Sequence, residues 1–219
     1  MINAVNIDYK AELARKGIHF FSLSIPIIYY YIERDLALAI LVPIALAFLA
    51  VDLLRYYHKP TADLFYLIFG FMLRKHELDE NSKRLNGATN VLIAASLCVI
   101  IFPKLIVLTA FSILIISDSV AALFGRQFGK RKFLQKSAEG SMAFFLSALI
   151  VIAFTPKVGG NIDEYLIGAV AAFVGAVVEA GSWKIDDNLS VPLSVGVVMW
   201  GLYFILYPSV NLFAHTFIH

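Results

Sequence analysis

Apolar residues dominate long stretches of this chain, and short polar segments interrupt them at intervals. Seven apolar runs stand out: 17–33, 36–54, 87–103, 104–124, 141–156, 162–180 and 191–207. A bilayer core takes about 20 apolar helical residues, with a range of about 17–25. Each run is therefore expected to be a transmembrane helix, several of them short and nearly upright. An eighth run, 61–73, holds only the ten apolar residues from Leu64 to Leu73. As a helix these extend ~15 Å, half the hydrocarbon thickness, so this run is expected to lie in the interface or to dip and return. The expected fold class is an all-α integral membrane protein with seven spans plus one interfacial or re-entrant helix. Residues 1–219 form a single membrane domain. No small-residue cleavage site follows the first run, which is expected to be a retained span.

Charge fixes the expected orientation. With the N-terminus in the cytoplasm and 61–73 not crossing, fifteen basic residues fall inside, and only Arg34, Lys104 and Lys157 fall outside. If 61–73 crosses, every later connection flips and the split drops to eleven against seven. The positive-inside bias favours the first arrangement. Residues 1–16 then form a cytoplasmic juxtamembrane helix, and 55–86, 125–140 and 181–190 are long cytoplasmic loops. The outer connections are short, so chemistry has room only on the cytoplasmic face.

Composition narrows the classes further. The chain is 60% hydrophobic and 16% charged, with a mean hydropathy of +0.79; ordinary globular domains are roughly 45–50% apolar and about 25% charged. That excludes a soluble globular protein and a disordered one. A net charge of +2 gives no reason to invoke nucleic acid, and the lone Cys98 excludes a disulfide framework.

Four polar constellations need an explanation. Glu12, Arg15, Lys16 and His19 are spaced i, i+3, i+4, i+7 and share one helix face entering the membrane. Asp118, within Ser117-Asp118-Ser119, lies six residues inside the end of its run, ~9 Å deep by helical rise. A carboxylate at that depth marks a functional or paired site. Small residues follow at Ala121, Ala122, Gly125 and Gly129, suiting either close helix packing or a phosphate-bearing ligand. The loop from Gly125 to Gly140 carries Arg126, Lys130, Arg131, Lys132 and Lys136, then Ser137, Glu139 and Gly140 ahead of the next run. A lysine, a carboxylate and free amides at a helix N-terminus offer a point charge, a metal ligand and an anion site. Last, Glu179 ends its run and is followed by Asp186, Asp187, Asn188 and Pro192. These acids suit magnesium, or a solvated turn in which Asp187 or Asn188 caps the last helix. The charges at Arg74, His76, Glu77, Asp79 and Glu80 suit solvent.

Together these strings resemble the polyprenol kinase family: dolichol, phytol and farnesol kinases and the CTP-dependent diacylglycerol kinases. The matching residues are Glu12-x-x-Arg15-Lys16-x-x-His19, Asp118-x-x-Ala121-x-x-x-Gly125-x-x-x-Gly129, Lys136-Ser137-x-Glu139-Gly140-Ser141, and Glu179 leading to Asp187-Asn188-Leu189-Ser190-Val191-Pro192-Leu193. The last segment is most similar to the phytol kinases. The resemblance implies transfer of the γ-phosphoryl group of CTP, with Mg²⁺, to a lipid alcohol held in the bilayer. On that basis Lys136 and Arg126 are expected on the donor phosphates, and Asp118, Glu139, Glu179 and Asp187 as magnesium ligands, one of them instead taking the alcohol proton. Asn188 and Ser137 are expected to orient ligands, Arg15, Lys16 and His19 to close the pocket, and Gly125, Gly129 and Gly140 to admit the phosphates. The family is distantly similar to phosphatidate cytidylyltransferases, which would release pyrophosphate and form a CDP-lipid. The non-enzymatic alternative is a small transporter or scaffold, which would favour midplane polar sites and repeats. The residues alone reach only a polyphosphate and a divalent metal at a cytoplasmic membrane pocket; they specify neither the lipid alcohol nor the oligomeric state.

Overall fold

The computed structural model describes residues 16–70, 85–181 and 185–214. Helical residues 16–21 lead into α1 (Ser24–Tyr31), followed by α2 (Arg34–Leu54), α3 (Lys59–Phe69), α4 (Gly87–Ile101) and α5 (Lys104–Phe128). A hairpin of β1 (Lys132–Phe133) and β2 (Lys136–Ser137) precedes α6 (Ala138–Phe154), α7 (Ile162–Ala180) and α8 (Asp187–Leu206). Among the described residues the fold is all-α apart from that hairpin. Helices α2, α5 and α8 are long and apolar enough to cross a membrane, and α4 and α6 are shorter apolar helices. By the ~1.5 Å rise per residue, α5 is about 37 Å long and α2 about 31 Å. Large side chains such as Phe154, Phe204, Leu67 and Phe21 are exposed on the outside of the bundle. A soluble protein does not leave such a surface bare, and lipid accounts for it. The molecule is a membrane protein.

Two expected elements differ. The run 17–33 is not one continuous helix. The amides of Leu23 and Ile25 bond three residues back, to Phe20 and Ser22, and that of Ser22 is shared between Ile18 and His19. Pro26 has no amide to donate to the Ser22 carbonyl, so the α-helical ladder is interrupted there. The segment 125–140 is less of a loop than expected. Helix α5 continues to Phe128, and the rest folds into the hairpin, in which Lys132 pairs with Ser137 and Phe133 with Lys136. Leu134 opens its two-residue turn with φ of 52°, the positive φ that tight hairpin turns demand.

Helix α5 is the axis of the bundle. It packs along α6 and also against α8, α1 and α4, burying an almost unbroken run from Leu105 to Ile115. Helices α7 and α8 pair closely with each other, and α2 leans on α4 from outside. Asp52 Oδ2, in the last turn of α2, accepts from the Asn86 amide at 2.7 Å, immediately before α4. The chain between them therefore returns to the end of the bundle that it left. Asp52 also meets Arg55 at 2.8 Å. The Arg55 guanidinium lies 4.5 Å from the Phe65 ring centroid and 4.7 Å from that of Tyr56, pinning α3 against this end. The sequence reading did not single out this buried pair, although an Asp inside an apolar run is a signal of the same kind as Asp118.

The opposite end is closed by helix caps. Arg34 donates to the Val99 carbonyl at 3.0 Å and to that of Ile100. Lys104 donates to Ile32 at 3.0 Å, and Lys157 to Ile152 at 2.6 Å and Thr155 at 2.7 Å. Each cation serves carbonyls that a helix end leaves without intrahelical partners. Glu164 is fully buried and accepts from the amides of Val158 at 2.6 Å and Gly159 at 2.8 Å, and from the Tyr203 hydroxyl at 2.9 Å. This too was not anticipated, although Asn161-x-x-Glu164 has the spacing of a capping box.

Candidate functional site

Six segments converge at the end of the bundle opposite those caps. Residues 16–21 bring Lys16, α5 brings Asp118 and Gly125, and β2 brings Lys136 and Ser137. The start of α6 adds Gly140, the end of α7 Glu179 and the start of α8 Asp187, and all of these line one cavity of about 420 Å³. Ala121 and Ala122 complete a small-residue wall on α5. Residues scattered over most of the sequence thus share a single polar space at one end of the bundle.

Two lysines organise its charge. Lys16 Nζ donates to Asp118 Oδ2 at 2.7 Å, and His19 Nε2 stands 3.6 Å from the same oxygen, buried and without a hydrogen-bond partner. The i, i+3 spacing of Lys16 and His19 aims both at Asp118, as the stripe predicts. On the other side, Lys136 Nζ donates to Glu179 Oε1 and, at 3.0 Å, to Asp187 Oδ2. Glu179 is 2% exposed, and its Oε2 is buried without a partner. It sits in the last turn of α7, where the helix dipole disfavours an anion, whereas Asp187 in the first turn of α8 is favoured. Burial works against the Lys136 ammonium, but the carboxylates of Asp187, Glu179 and Asp118 outweigh it and hold the lysine well above its ordinary value.

Other expected site residues take structural positions. Glu139 does not line the cavity. It accepts from the amides of Lys130 at 3.1 Å and Arg131 at 3.3 Å, fastening the hairpin to α6. Hydrogen bonds from its own backbone amide and then from that of Lys130 hold its carboxyl below the usual range. Ser137 lines the cavity and also caps α6, accepting from the Gly140 amide at 3.1 Å. The cap of α8 is Asp186, not Asp187 or Asn188, because its carboxylate accepts from the Asn188 amide at 3.0 Å and side-chain amide at 2.7 Å. Asn188 is buried beside the site, while Arg126 is exposed beyond it. The glycines serve close packing. A Cβ on Gly140 would come within 3.1 Å of the Ala121 carbonyl and 3.2 Å of Gly125 Cα, and one on Gly129 within 2.8 Å of Ser137 Cβ. Glu12, Arg15 and the charged residues of 74–80 lie outside the described residues.

Among the described residues, no three His, Cys, Asp or Glu side chains gather into a self-sufficient metal cage. Magnesium often needs no such cage, since one or two carboxylates suffice when phosphates and water complete its shell. Glu179 and Asp187, converging on one ammonium with a buried oxygen of Glu179 still unpartnered, fit that kind of ion. Asp118 has its own lysine across the cavity.

No protein-family model matches the chain, and no solved structure matches it significantly. The chain is 31% identical over 189 residues to an uncharacterized protein of Rickettsia prowazekii (strain Madrid E), covering 85% of its own length and 92% of that protein. With the likeness running through most of both sequences, the chain belongs to the same family as the Rickettsia protein.

Proposed function

We propose that this chain is a membrane lipid kinase, transferring the γ-phosphoryl group of a nucleoside triphosphate, CTP by its resemblance to the polyprenol kinases, to a lipid alcohol. The observation that carries the reading is the cavity, in which two lysines and three carboxylates meet at one end of an apolar bundle. Phosphoryl transfer asks the protein chiefly for positioning and charge neutralisation, and this is a set of groups able to supply both. Lys16 and Lys136 hold the donor phosphates. Glu179 and Asp187 would hold Mg²⁺, which when bound neutralises charge on the transferring group. Asp118, oriented by Lys16, accepts the proton of the lipid hydroxyl. The acceptor is a phytol-, polyprenol- or diacylglycerol-like alcohol entering sideways, so its tail stays in the bilayer. The seven-span topology, with the cavity facing the cytoplasm, is part of the same proposal.

The decisive experiment incubates purified protein with γ-labelled CTP or ATP and a panel of lipid alcohols. Label in a phosphorylated lipid, with CDP released, is the expected result. Pyrophosphate with a CDP-lipid would mean a cytidylyltransferase, and no turnover with any pair would remove the kinase reading.

A further inference from the structure

Lys136 occupies a position that does not balance. Two carboxyl groups, those of Glu179 and Asp187, converge on its single ammonium, in surroundings where Glu179 is 2% exposed. One oxygen of Glu179 takes a hydrogen bond from the ammonium, and the other is buried with none. An unpaired buried carboxyl oxygen is costly. It marks a ligand position that lysine, reaching in from one side, leaves unfilled. The lysine itself is poorly confined: its side chain is 34% exposed, against 2% for Glu179 and 12% for Asp187. Its backbone, in contrast, is fastened. The hairpin is held by Glu139 on the Lys130 and Arg131 amides and by the Gln135 amide on the Ala180 carbonyl at 2.9 Å. The flexible stem can therefore swing while the strand stays in place.

We propose that Lys136 is a resident counter-ion standing in a two-carboxylate divalent-cation site, and that a cation bound by Glu179 and Asp187 displaces its ammonium toward the mouth of the cavity. The divalent ion balances both carboxylates and engages the oxygen that lysine leaves bare, as a hard cation prefers. The displaced ammonium becomes a free positive charge beside the phosphate space, so metal and anion sites are created in one exchange. Lys16 is not exchanged, because Asp118 is paired with it one to one. The inference rests on reading the cavity as a phosphate-and-metal pocket, but its test uses neither nucleotide nor lipid.

The full-length protein in detergent is titrated with Mn²⁺, free ion being read by electron paramagnetic resonance. At each point the acetylation of Lys136 by a brief pulse of acetic anhydride is quantified by mass spectrometry. Lys136 acetylation should rise about five-fold or more as one Mn²⁺ binds, while that of exposed Lys130 stays constant. Lys136→Met should bind Mn²⁺ at least about ten-fold more tightly than wild type, and adding Glu179→Gln should abolish that gain. Unchanged Lys136 acetylation at saturation, or no Mn²⁺ binding to wild type at millimolar concentration, overturns the proposal. So does a folded Lys136→Met variant with no tighter site. If that variant fails to fold, the wild-type acetylation decides alone. Metal-dependent release of Lys136 in a protein that phosphorylates no lipid would sink the kinase reading and leave this one standing; turnover without release would do the reverse.

Discussion

Asp118 shows how far a single residue can be read before its neighbours are known. Its depth in an apolar run marks it as paired or functional, and a deep carboxylate alone predicts that Asp118→Asn relieves strain. The partner changes that sign. Lys16, with a side chain 12% exposed, donates to a carboxylate 9% exposed, so asparagine would leave an ammonium without its counter-charge. Asp118→Asn should cost about 1.5–3 kcal/mol, the usual worth of a charged hydrogen bond. Lys16→Met added to it should return most of the loss, both read as melting temperature in detergent. Phosphoryl transfer should fall in both variants, and excess Mn²⁺ should recover it in neither, since proton acceptance is what is missing. Asp187→Asn should be partly rescued by the metal. A folded Asp118→Asn variant with near-normal turnover would remove Asp118 from the mechanism. Lys16, His19 and Asp118 were legible because a helical stripe and an intramembrane charge are strong local signals. Glu139 was not, because the choice between a ligand and two backbone amides depends on a hairpin that no periodicity announces.

At the scale of elements, the apolar runs located the helices closely, and the misses lie where backbone hydrogen bonding decides. The interrupted ladder before Pro26 and the extension of α5 to Phe128 are both of that kind. Small residues on α5 left helix packing and phosphate access open, and the separations now favour packing where α5 meets Gly140 of α6. Gly140→Ala would place a methyl 2.9 Å from Ser137 Oγ and 3.1 Å from the Ala121 carbonyl. Neither neighbour can step aside, one being backbone and the other a helix cap, so the variant should lose about 1–3 kcal/mol as overpacking does. Gly201→Ala is the control: nothing lies within 4 Å of the added methyl inside α8, and stability should hold or rise by about 0.5–1 kcal/mol. Equal melting temperatures for the two would mean that α5 and α6 are not in backbone contact. The hairpin clasp carries its own pH dependence. Glu139 has a folded pKa below its ordinary 4.5, so its contribution is fully present above that value and is lost as pH falls through the depressed one. Exchange of the Lys130 and Arg131 amides, corrected for intrinsic rate, should accelerate over that acid window in wild type. Glu139→Gln should flatten the change.

Across the whole molecule the two ends are built differently, and that asymmetry bears on orientation. Arg34, Lys104 and Lys157, the three basic residues that the favoured topology leaves outside, all spend their charge on helix-end carbonyls. Fixed by caps, they need not follow the bias that places the other cations. The cavity and the hairpin with Lys130, Arg131 and Lys132 lie at the opposite end, with most of the exposed positive charge among the described residues. The Asp52–Asn86 bond adds that the chain between α2 and α4 leaves and rejoins this same end. Helix α3, at 11 residues, extends only ~16 Å and cannot cross a ~30 Å core by itself. In Cys98→Ser protein, single cysteines replacing Lys59, in the first turn of α3, and Lys132, in β1, should therefore be labelled by an impermeant maleimide from one side of the membrane. A cysteine at Asn161, ahead of α7, should be labelled from the other. Sealed vesicles of both orientations make the comparison internal. Labelling of Lys59 and Lys132 from opposite sides would mean an odd number of crossings between them. That would break the shared cavity end and send the positive-inside count back to its less favourable split, whatever the enzyme assay returned.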